Sequence, residues 1–196
     1  MNKNTNKTIK ISLLSALALI LMYFEFPVIP IFPWLKIDLS DVPALLGAFG
    51  FGPLAGVTIE LIKNILILLV KGSQTGFVGE LANFLIGVSL VLPAGIIYKR
   101  NKSKKSAILG MILGGIFIEI VGVIANVYML LPAYGMQMSS GELLKYVTVG
   151  LLPFNGIKAI IVSMLTYILY KKVSVSIFKA EPNFGSAEKN SKTITE

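Results

Sequence analysis

The strongest constraint on this chain is the length and spacing of its apolar runs. Four of them approach the roughly 20 residues that a bilayer core requires: residues 8–24, 77–98, 107–131 and 149–170. The 196-residue chain is 55% hydrophobic and 14% charged, and so short a chain could not bury that much apolar surface in water. The sequence therefore predicts an all-α membrane protein. Residues 1–172 form one transmembrane domain, and residues 173–196 form a polar tail that is expected to be disordered.

The first apolar run resembles a secretory signal, because it follows Lys3, Lys7 and Lys10. A cleavable signal needs small residues after its apolar core, whereas Ala16 and Ala18 lie inside this one. We interpret the run as an uncleaved spanning helix.

Residues 42–70 could form one long tilted helix or two short ones, and the positions of the basic residues decide between them. The loop "YKRNKSKKS" (98–106) is the densest basic segment, so it is expected in the cytoplasm together with the N-terminal lysines. An even number of spans must then lie between them, which splits residues 42–70 in two at the cluster "GFGP" (50–53). The prediction is six transmembrane helices with both termini cytoplasmic, and it places 13 of the 18 Lys and Arg residues inside.

Few ionisable or amide side chains lie within the spans. They are Glu60, Lys63, Asn64, Glu80, Asn83, Glu119, Asn126, Asn155 and Lys158. A charge at the bilayer centre costs about 2.5–3.5 kcal/mol, so each of them needs a physical reason. In the six-span arrangement most of them fall in the outer half of the membrane, and two pairs share a helix face at i,i+3 spacing: Glu80 with Asn83, and Asn155 with Lys158.

Two interpretations of these groups remain open. Interhelical hydrogen bonds commonly stabilise helix bundles, which could account for these polar groups. Snorkelling, in which the ammonium group extends toward the membrane surface, could account for Lys158 alone. A pocket that opens outward also explains why they concentrate at one level. The outer loops add a possible apolar wall: Phe32, Trp34, Tyr128, Tyr134, Met136 and Met138. Asn126 and Asn155 offer paired donors and acceptors that suit an imide or uracil-like edge. Glu60 is expected to pair with Lys63, and Glu119 has no evident partner.

Several function classes are disfavoured by what the sequence lacks. It has no His and no Cys, so the usual general base, thiol nucleophile and common metal ligands are missing, and we expect neither an enzyme nor a metal site. No P-loop motif is present, so the chain is not expected to bind a nucleotide in that way. A binder without its own energy source needs a partner, and Ser12 and Ala16, spaced four apart in the first span, would let a partner helix approach closely.

The chain closely resembles the riboflavin-specific S components of energy-coupling factor (ECF) transporters. The segments that carry the resemblance are "LKIDLSDVPALLGAFGFGPLAG", "ELIKNILILL", "GELANFLIG" and "LLPFNGIKAIIVS". It extends from about residue 9 to residue 170. Where many S components carry Ala-x-x-x-Ala in the first helix, this chain has Ser12-x-x-x-Ala16.

The resemblance implies a high-affinity riboflavin-binding membrane subunit of a vitamin uptake transporter. Such a subunit docks to a transmembrane coupling protein and two cytoplasmic ATPases, which supply the energy, and riboflavin is the transported ligand rather than a cofactor. The resemblance also implies a multi-pass protein of the cell membrane in a Gram-positive-type bacterium. By this similarity Leu35, Lys36, Asn126, Asn155 and Lys158 would contact riboflavin.

The polar side chains within the spans also include Glu80 and Asn83, and we expect these two residues to bind the ligand as well. The segment "LKIDLSD" is expected to end an outer loop over the pocket, with Asp38, Ser40 or Asp41 capping the next helix and Pro43 in its first turn. The alternatives are an S component for another vitamin, or a stand-alone small-molecule facilitator. A cationic thiamine compound would favour an anionic pocket, which Lys158 argues against.

Overall fold

The computed structural model describes residues 3–73 and 75–173. The elements in chain order are α1 (Lys3–Tyr23), β1 (Phe26–Pro27), β2 (Lys36–Ile37), α2 (Asp41–Phe51), α3 (Pro53–Lys71), α4 (Val78–Arg100), α5 (Lys104–Ala125), α6 (Leu131–Ala133), α7 (Ser140–Lys145) and α8 (Leu152–Val173). Two π-helical segments, Asn126–Leu130 and Tyr146–Leu151, join α5 to α6 and α7 to α8. The mostly helical membrane architecture expected from the sequence is confirmed.

Among the described residues, five helical stretches are long and apolar enough to cross a membrane: Thr5–Tyr23, Pro53–Lys71, Val78–Arg100, Lys104–Ala133 and Ser140–Tyr170. The sixth apolar segment, α2, has only 11 residues. At about 1.5 Å per residue it extends roughly 16 Å, about half the thickness of a bilayer core. Nine of its residues are buried by the neighbouring helices. A short helix can lie at membrane depth in this way because other helices, rather than lipid, surround it.

The predicted break within residues 50–53 is confirmed. Helix α2 ends at Phe51 and α3 begins at Pro53, so Pro53 occupies a first-turn position where its missing N–H costs nothing. Gly52 between them has φ +102°, a backbone conformation that favours glycine. A Cβ at Gly52 would meet no atom within 4 Å, so the backbone angle and not the space selects glycine there.

Close packing of α4 on α5 depends on small residues. A Cβ added at Gly110 would lie 2.8 Å from the carbonyl oxygen of Ala94, and one at Gly114 would collide with the backbone of Leu90. These helices can therefore approach backbone to backbone, as membrane helices do where small residues meet. Large apolar side chains such as Leu13, Leu69 and Ile112 are exposed on the outer faces of the helices, where lipid would cover them.

In the part of the chain that the structure describes, buried apolar residues form two clusters. The larger one joins α1, α2, α3, α4, α5 and α8. The smaller one lies under the loop between α1 and α2 and contains Phe32, Leu35, Ile37, Leu131, Tyr146, Leu151 and Phe154. Because Ile37 and Tyr146 are almost completely buried, this loop is an integral part of its end of the bundle.

Two details differ from the sequence prediction. The last spanning helix begins at Ser140 rather than near Val149, because a capping box formed by Ser139 and Glu142 starts a helix there. The loop between α1 and α2 contains a two-stranded antiparallel hairpin, in which Phe26 pairs with Ile37. The polar tail predicted for residues 173–196 lies outside the described residues apart from residue 173.

Candidate functional site

A cavity of about 390 Å³ lies between the loop of residues 24–40, which we call the hairpin loop, and the ends of α3, α4, α5 and α8. This volume falls in the range of about 300–1,000 Å³ that is typical of small-molecule sites. All seven side chains predicted from the sequence to bind ligand line its wall: Leu35, Lys36, Glu80, Asn83, Asn126, Asn155 and Lys158. The structure brings together residues that are separated by up to 123 positions in the sequence.

The aromatic wall is only partly as predicted. Trp34, Tyr134 and Met136 line the cavity, whereas Tyr128 is 75% exposed and is not part of the lining. Phe32 lies one layer further away, where its ring packs edge-on against Trp34 and Tyr146 at centroid distances of 5.6 Å and 5.1 Å. It supports the wall without lining it.

Glu80 and Asn83 reach the cavity from the first turns of α4. Ser73 holds this end of the helix, because its Oγ accepts the Phe77 N–H at 2.9 Å and donates to Glu80 Oε2 at 2.8 Å. The Asn83 Oδ1 atom is buried and accepts no hydrogen bond from the residues that the structure describes. A buried amide oxygen without a donor is costly, so it is available to a ligand that donates.

Asn126 is oriented by hydrogen bonds on both sides of its amide. Its Nδ2 donates to the carbonyl oxygen of Gly122 at 2.8 Å, and its Oδ1 accepts from the hydroxyl of Tyr146 at 3.1 Å. The same hydroxyl accepts from Trp34 Nε1 at 3.4 Å. The sequence did not predict that Tyr146 orients Asn126, because an isolated tyrosine in an apolar helix gives no indication of such a role.

Asn155 is almost completely buried on α8, and its Nδ2 has no hydrogen-bond acceptor among the described residues. The Asn155 amide packs directly against Gly122. A Cβ added at Gly122 would lie 2.5 Å from Asn155 Nδ2. Glu119, for which sequence analysis found no partner, faces this amide from the preceding turn of α5. The close approach of α5 and α8 thus depends on a glycine beneath the amide.

Lys158 belongs to a buried ionic cluster, which we define as Asp38, Asp41, Glu60, Lys63 and Lys158. The Lys158 Nζ lies 3.0 Å from Asp41 Oδ2 and 3.5 Å from Asp38 Oδ2. The predicted pair of Glu60 and Lys63 is confirmed at 2.8 Å. Lys63 also contacts Asp41 Oδ1 at 2.5 Å, so Asp41 bridges the two lysines.

This cluster corrects the predicted role of the segment before α2. Ser40 occupies the position of the helix N-cap, but its side chain makes no capping hydrogen bond. Its Oγ instead accepts from Lys63 Nζ at 2.7 Å. Asp38 accepts the Ser40 N–H at 2.8 Å, and Pro43 lies in the first turn as expected. The sequence did not predict this role for the two aspartates, because they precede the apolar run and were expected to face water or to cap the helix.

A second, exposed group of charges lies at the mouth of the cavity. Glu25 Oε1 accepts from Lys36 Nζ at 3.1 Å and from Lys71 Nζ at 3.0 Å. We call these three residues the mouth triad. Partial burial would raise the pKa of Glu25, but the two lysines outweigh it and hold that pKa below its ordinary value. The triad ties both ends of the hairpin loop to the end of α3.

The predicted docking residues lie on the outward face of α1. Ser12 and Ala16 are exposed there, whereas Ser15 and Ala18 point into the bundle and are buried. The exposed face also carries Leu13, which is 65% exposed.

Comparison with known proteins gives consistent results. A family model described as the substrate-specific component of ECF transporters matches residues 6–170. The "Riboflavin transporter RibU" of Staphylococcus aureus is 43% identical over 179 residues, which cover 89% of this chain and 94% of that protein. The "Riboflavin transporter FmnP" of Bacillus subtilis is 36% identical over 173 residues, covering 85% of this chain and 91% of that protein.

A solved structure described as "Structure and mechanism of the S component of a bacterial ECF transporter" superposes with a TM-score of 0.76 at 41% sequence identity. The match covers 89% of this chain and 99% of that one.

Proposed function

Since the chain belongs to the family of substrate-specific components of ECF transporters, we propose that it binds riboflavin in the cavity beneath the hairpin loop. The observation that carries the proposal is the convergence of three amides and one ammonium group, from Asn83, Asn126, Asn155 and Lys158, in one cavity of about 390 Å³. Both relatives named above are riboflavin transporters, which supports the same ligand.

The isoalloxazine ring is planar and largely apolar, with a uracil-like edge that alternates carbonyl groups and an N–H. Asn126 and Asn155 supply the donors and acceptors that such an edge requires, and Lys158 adds a donor for a carbonyl oxygen. Trp34, Tyr134 and Met136 offer apolar surface to the ring faces. The hydroxyls of the ribityl chain would meet the polar mouth, where Lys36, Glu80 and Asn83 line the wall.

The proposal is tested by purifying the full chain in detergent and titrating it with riboflavin by calorimetry. We expect saturable binding of one riboflavin per chain, and flavin absorbance bands in protein purified from riboflavin-fed cells. Thiamine is the matched control, because its positive charge would face Lys158. Binding of thiamine without binding of riboflavin would contradict the proposal and favour an S component for another vitamin.

We also propose that the exposed face of α1 docks to a transmembrane coupling protein, which in turn works with two cytoplasmic ATPases. Ser12 and Ala16 leave room for a partner helix on that face. The other candidate, a stand-alone facilitator, would carry riboflavin into liposomes without any partner. Riboflavin uptake by liposomes that contain this chain alone would overturn the docking proposal while leaving the binding proposal intact.

Replacing Ala16 with Leu should abolish uptake and co-purification with the coupling and ATPase subunits, because the added side chain holds a partner helix away. Riboflavin affinity should be unchanged, since Ala16 is not part of the cavity wall. Thr148→Leu is the matched control, because it enlarges an exposed side chain on another helical segment. Normal uptake by Ala16→Leu would mean that another face docks.

A further inference from the structure

A chain of hydrogen bonds connects the hairpin loop to the cavity wall, and all of its bonds run in one direction. Trp34 Nε1 donates to the Tyr146 hydroxyl, which donates to Asn126 Oδ1, and Asn126 Nδ2 donates to the Gly122 carbonyl oxygen. An indole N–H is a donor only, and a backbone carbonyl is an acceptor only. Both ends are therefore fixed, and each group between them has one orientation that satisfies its neighbours.

From this polarity we propose that Tyr146 is a positioning residue, which fixes the direction of the Asn126 amide toward the ligand and makes that direction depend on the hairpin loop. An inverted amide would place its oxygen against the Gly122 carbonyl oxygen, where like partial charges repel. It would also leave the Tyr146 hydroxyl with two donors and no acceptor. The inference rests on the proposed function, because it concerns how the cavity recognises riboflavin.

The packing around Tyr146 holds the hydroxyl in place. Its ring is 1% exposed and packs edge-on against Phe32. A Cβ at Gly150 would stand 2.8 Å from the Phe32 ring, so this glycine lets the three aromatic rings of Phe32, Trp34 and Tyr146 come together. Over residues 3–73 and 75–173, π-helical turns begin at two places, Asn126 and Tyr146, which are the two residues that the central bond joins. Such turns occur frequently at functional sites.

The chemical consequence is selectivity for a ligand that donates at the atom facing Asn126. After its two internal bonds the Asn126 amide retains one acceptor lone pair and one N–H. The retained oxygen lone pair suits the N3–H of an isoalloxazine ring. A methyl group on that nitrogen removes the donor and would stand against the fixed oxygen. An amide free to invert would discriminate less, because it could turn its oxygen away from the methyl group and donate its N–H to a neighbouring carbonyl oxygen of the ring.

The test compares riboflavin with riboflavin methylated at N3 by calorimetry, in the native chain and in Tyr146→Phe. This substitution keeps the ring packing and removes the hydroxyl. We expect Tyr146→Phe to weaken riboflavin binding about tenfold, as for the loss of a buried hydrogen bond, and to reduce the preference over the methylated compound. Tyr128→Phe is the matched control and should change neither value, because Tyr128 lies outside the cavity wall.

Trp34 is the single tryptophan of the chain, so its emission gives a second readout. In ligand-free Tyr146→Phe the emission should shift, because the indole N–H loses its acceptor. If Tyr146→Phe does not fold, Trp34→Phe carries the test, since it removes the donor that polarises Tyr146 and should lower the same selectivity ratio.

The outcomes separate this inference from the proposed function. If the native chain does not bind riboflavin, the proposed function itself fails. If it binds riboflavin but does not discriminate against the methylated compound, the assignment of Asn126 to the N3–H is wrong. If it does discriminate, and the ratio is unchanged in Tyr146→Phe and in Trp34→Phe, the positioning role is overturned.

Discussion

Two groups of lysines and carboxylates touch the same cavity, and they differ in their access to water. In the buried ionic cluster, the side chains of Lys63, Glu60 and Asp41 are 0% exposed. In the mouth triad, the side chains of Lys36 and Lys71 are 44% and 46% exposed. The pairs have similar distances, 2.5–3.5 Å in the cluster and 3.0–3.1 Å in the triad. Distance therefore does not distinguish the two groups, and burial does.

The difference shows how ion pairs can serve two purposes in one site. Removing one partner of a buried pair costs about 3–5 kcal/mol, because a charge is left without water or counter-ion. An exposed pair contributes about 0–1 kcal/mol and is screened by salt. The buried cluster thus holds α2, α3 and α8 in a fixed arrangement. The mouth triad contributes little to stability and holds the hairpin loop only weakly.

The largest expected effect comes from Lys63→Met, which leaves Asp41 and Glu60 without their common cation. We expect a loss of about 3–5 kcal/mol in the free energy of unfolding, measured by denaturant unfolding in detergent. Adding Glu60→Gln should recover part of the loss, because Glu60 becomes neutral, whereas Asp41 still has Lys158 as a partner. Lys71→Met, the matched control in the mouth triad, should cost about 1 kcal/mol or less. Equal losses in the two single variants would contradict the contrast drawn from burial.

The next effects concern two neighbours on α8, of which one belongs to the ionic cluster. Asn155→Ala and Lys158→Ala should each weaken riboflavin binding by about 1–3 kcal/mol, or roughly 5- to 150-fold. Lys158→Ala should also lower the free energy of unfolding, because Asp38 and Asp41 lose a cation, whereas Asn155→Ala should have a small effect on stability. Unchanged riboflavin affinity in both variants would remove these residues from the site.

The smallest effect is expected from Glu25→Gln, which disconnects the mouth triad. Stability should change by about 1 kcal/mol or less, and the change should vanish in high salt. The folded-state pKa of Glu25 is lowered, so its contribution is fully present above the ordinary value of 4.5 and is lost as pH falls through the lower folded-state pKa. Thermal unfolding of the native chain and of Glu25→Gln should therefore converge at acid pH. A difference that persists at acid pH and high salt would show that Glu25 acts through packing instead.

The sequence was sufficient for features that depend on local pattern. Apolar run lengths and basic loops predicted the helical segments, the break at Gly52 followed from glycine and proline chemistry, and i,i+3 spacing predicted the pair of Glu60 and Lys63. The same reasoning named five polar residues that line one cavity, because polar side chains in an apolar helix have to face inward, and the family resemblance added Leu35 and Lys36. Whether these residues bind the ligand stays a prediction.

Features that depend on contacts distant in sequence were missed. Asp41 pairs with Lys63 and Lys158, which lie 22 and 117 positions away, and no local pattern favours those partners over water or a helix cap. The hydrogen bond between Tyr146 and Asn126 likewise exists only because two helices meet. The hairpin of β1 and β2 is two residues per strand, too short for an alternating pattern to reveal it.

Uptake requires the cavity to open to the outside of the cell, and the most direct measurement of that orientation is the labelling of single cysteines in intact cells. The native chain has no Cys, so the background is zero. Gln137 and Asn101 are exposed positions in the loops at opposite ends of the bundle. Gln137→Cys should react with an impermeant thiol reagent in sealed cells, and Asn101→Cys should react only after the membrane is opened. Labelling of Asn101→Cys but not Gln137→Cys in sealed cells would turn the cavity toward the cytoplasm and contradict a role in capturing riboflavin for uptake.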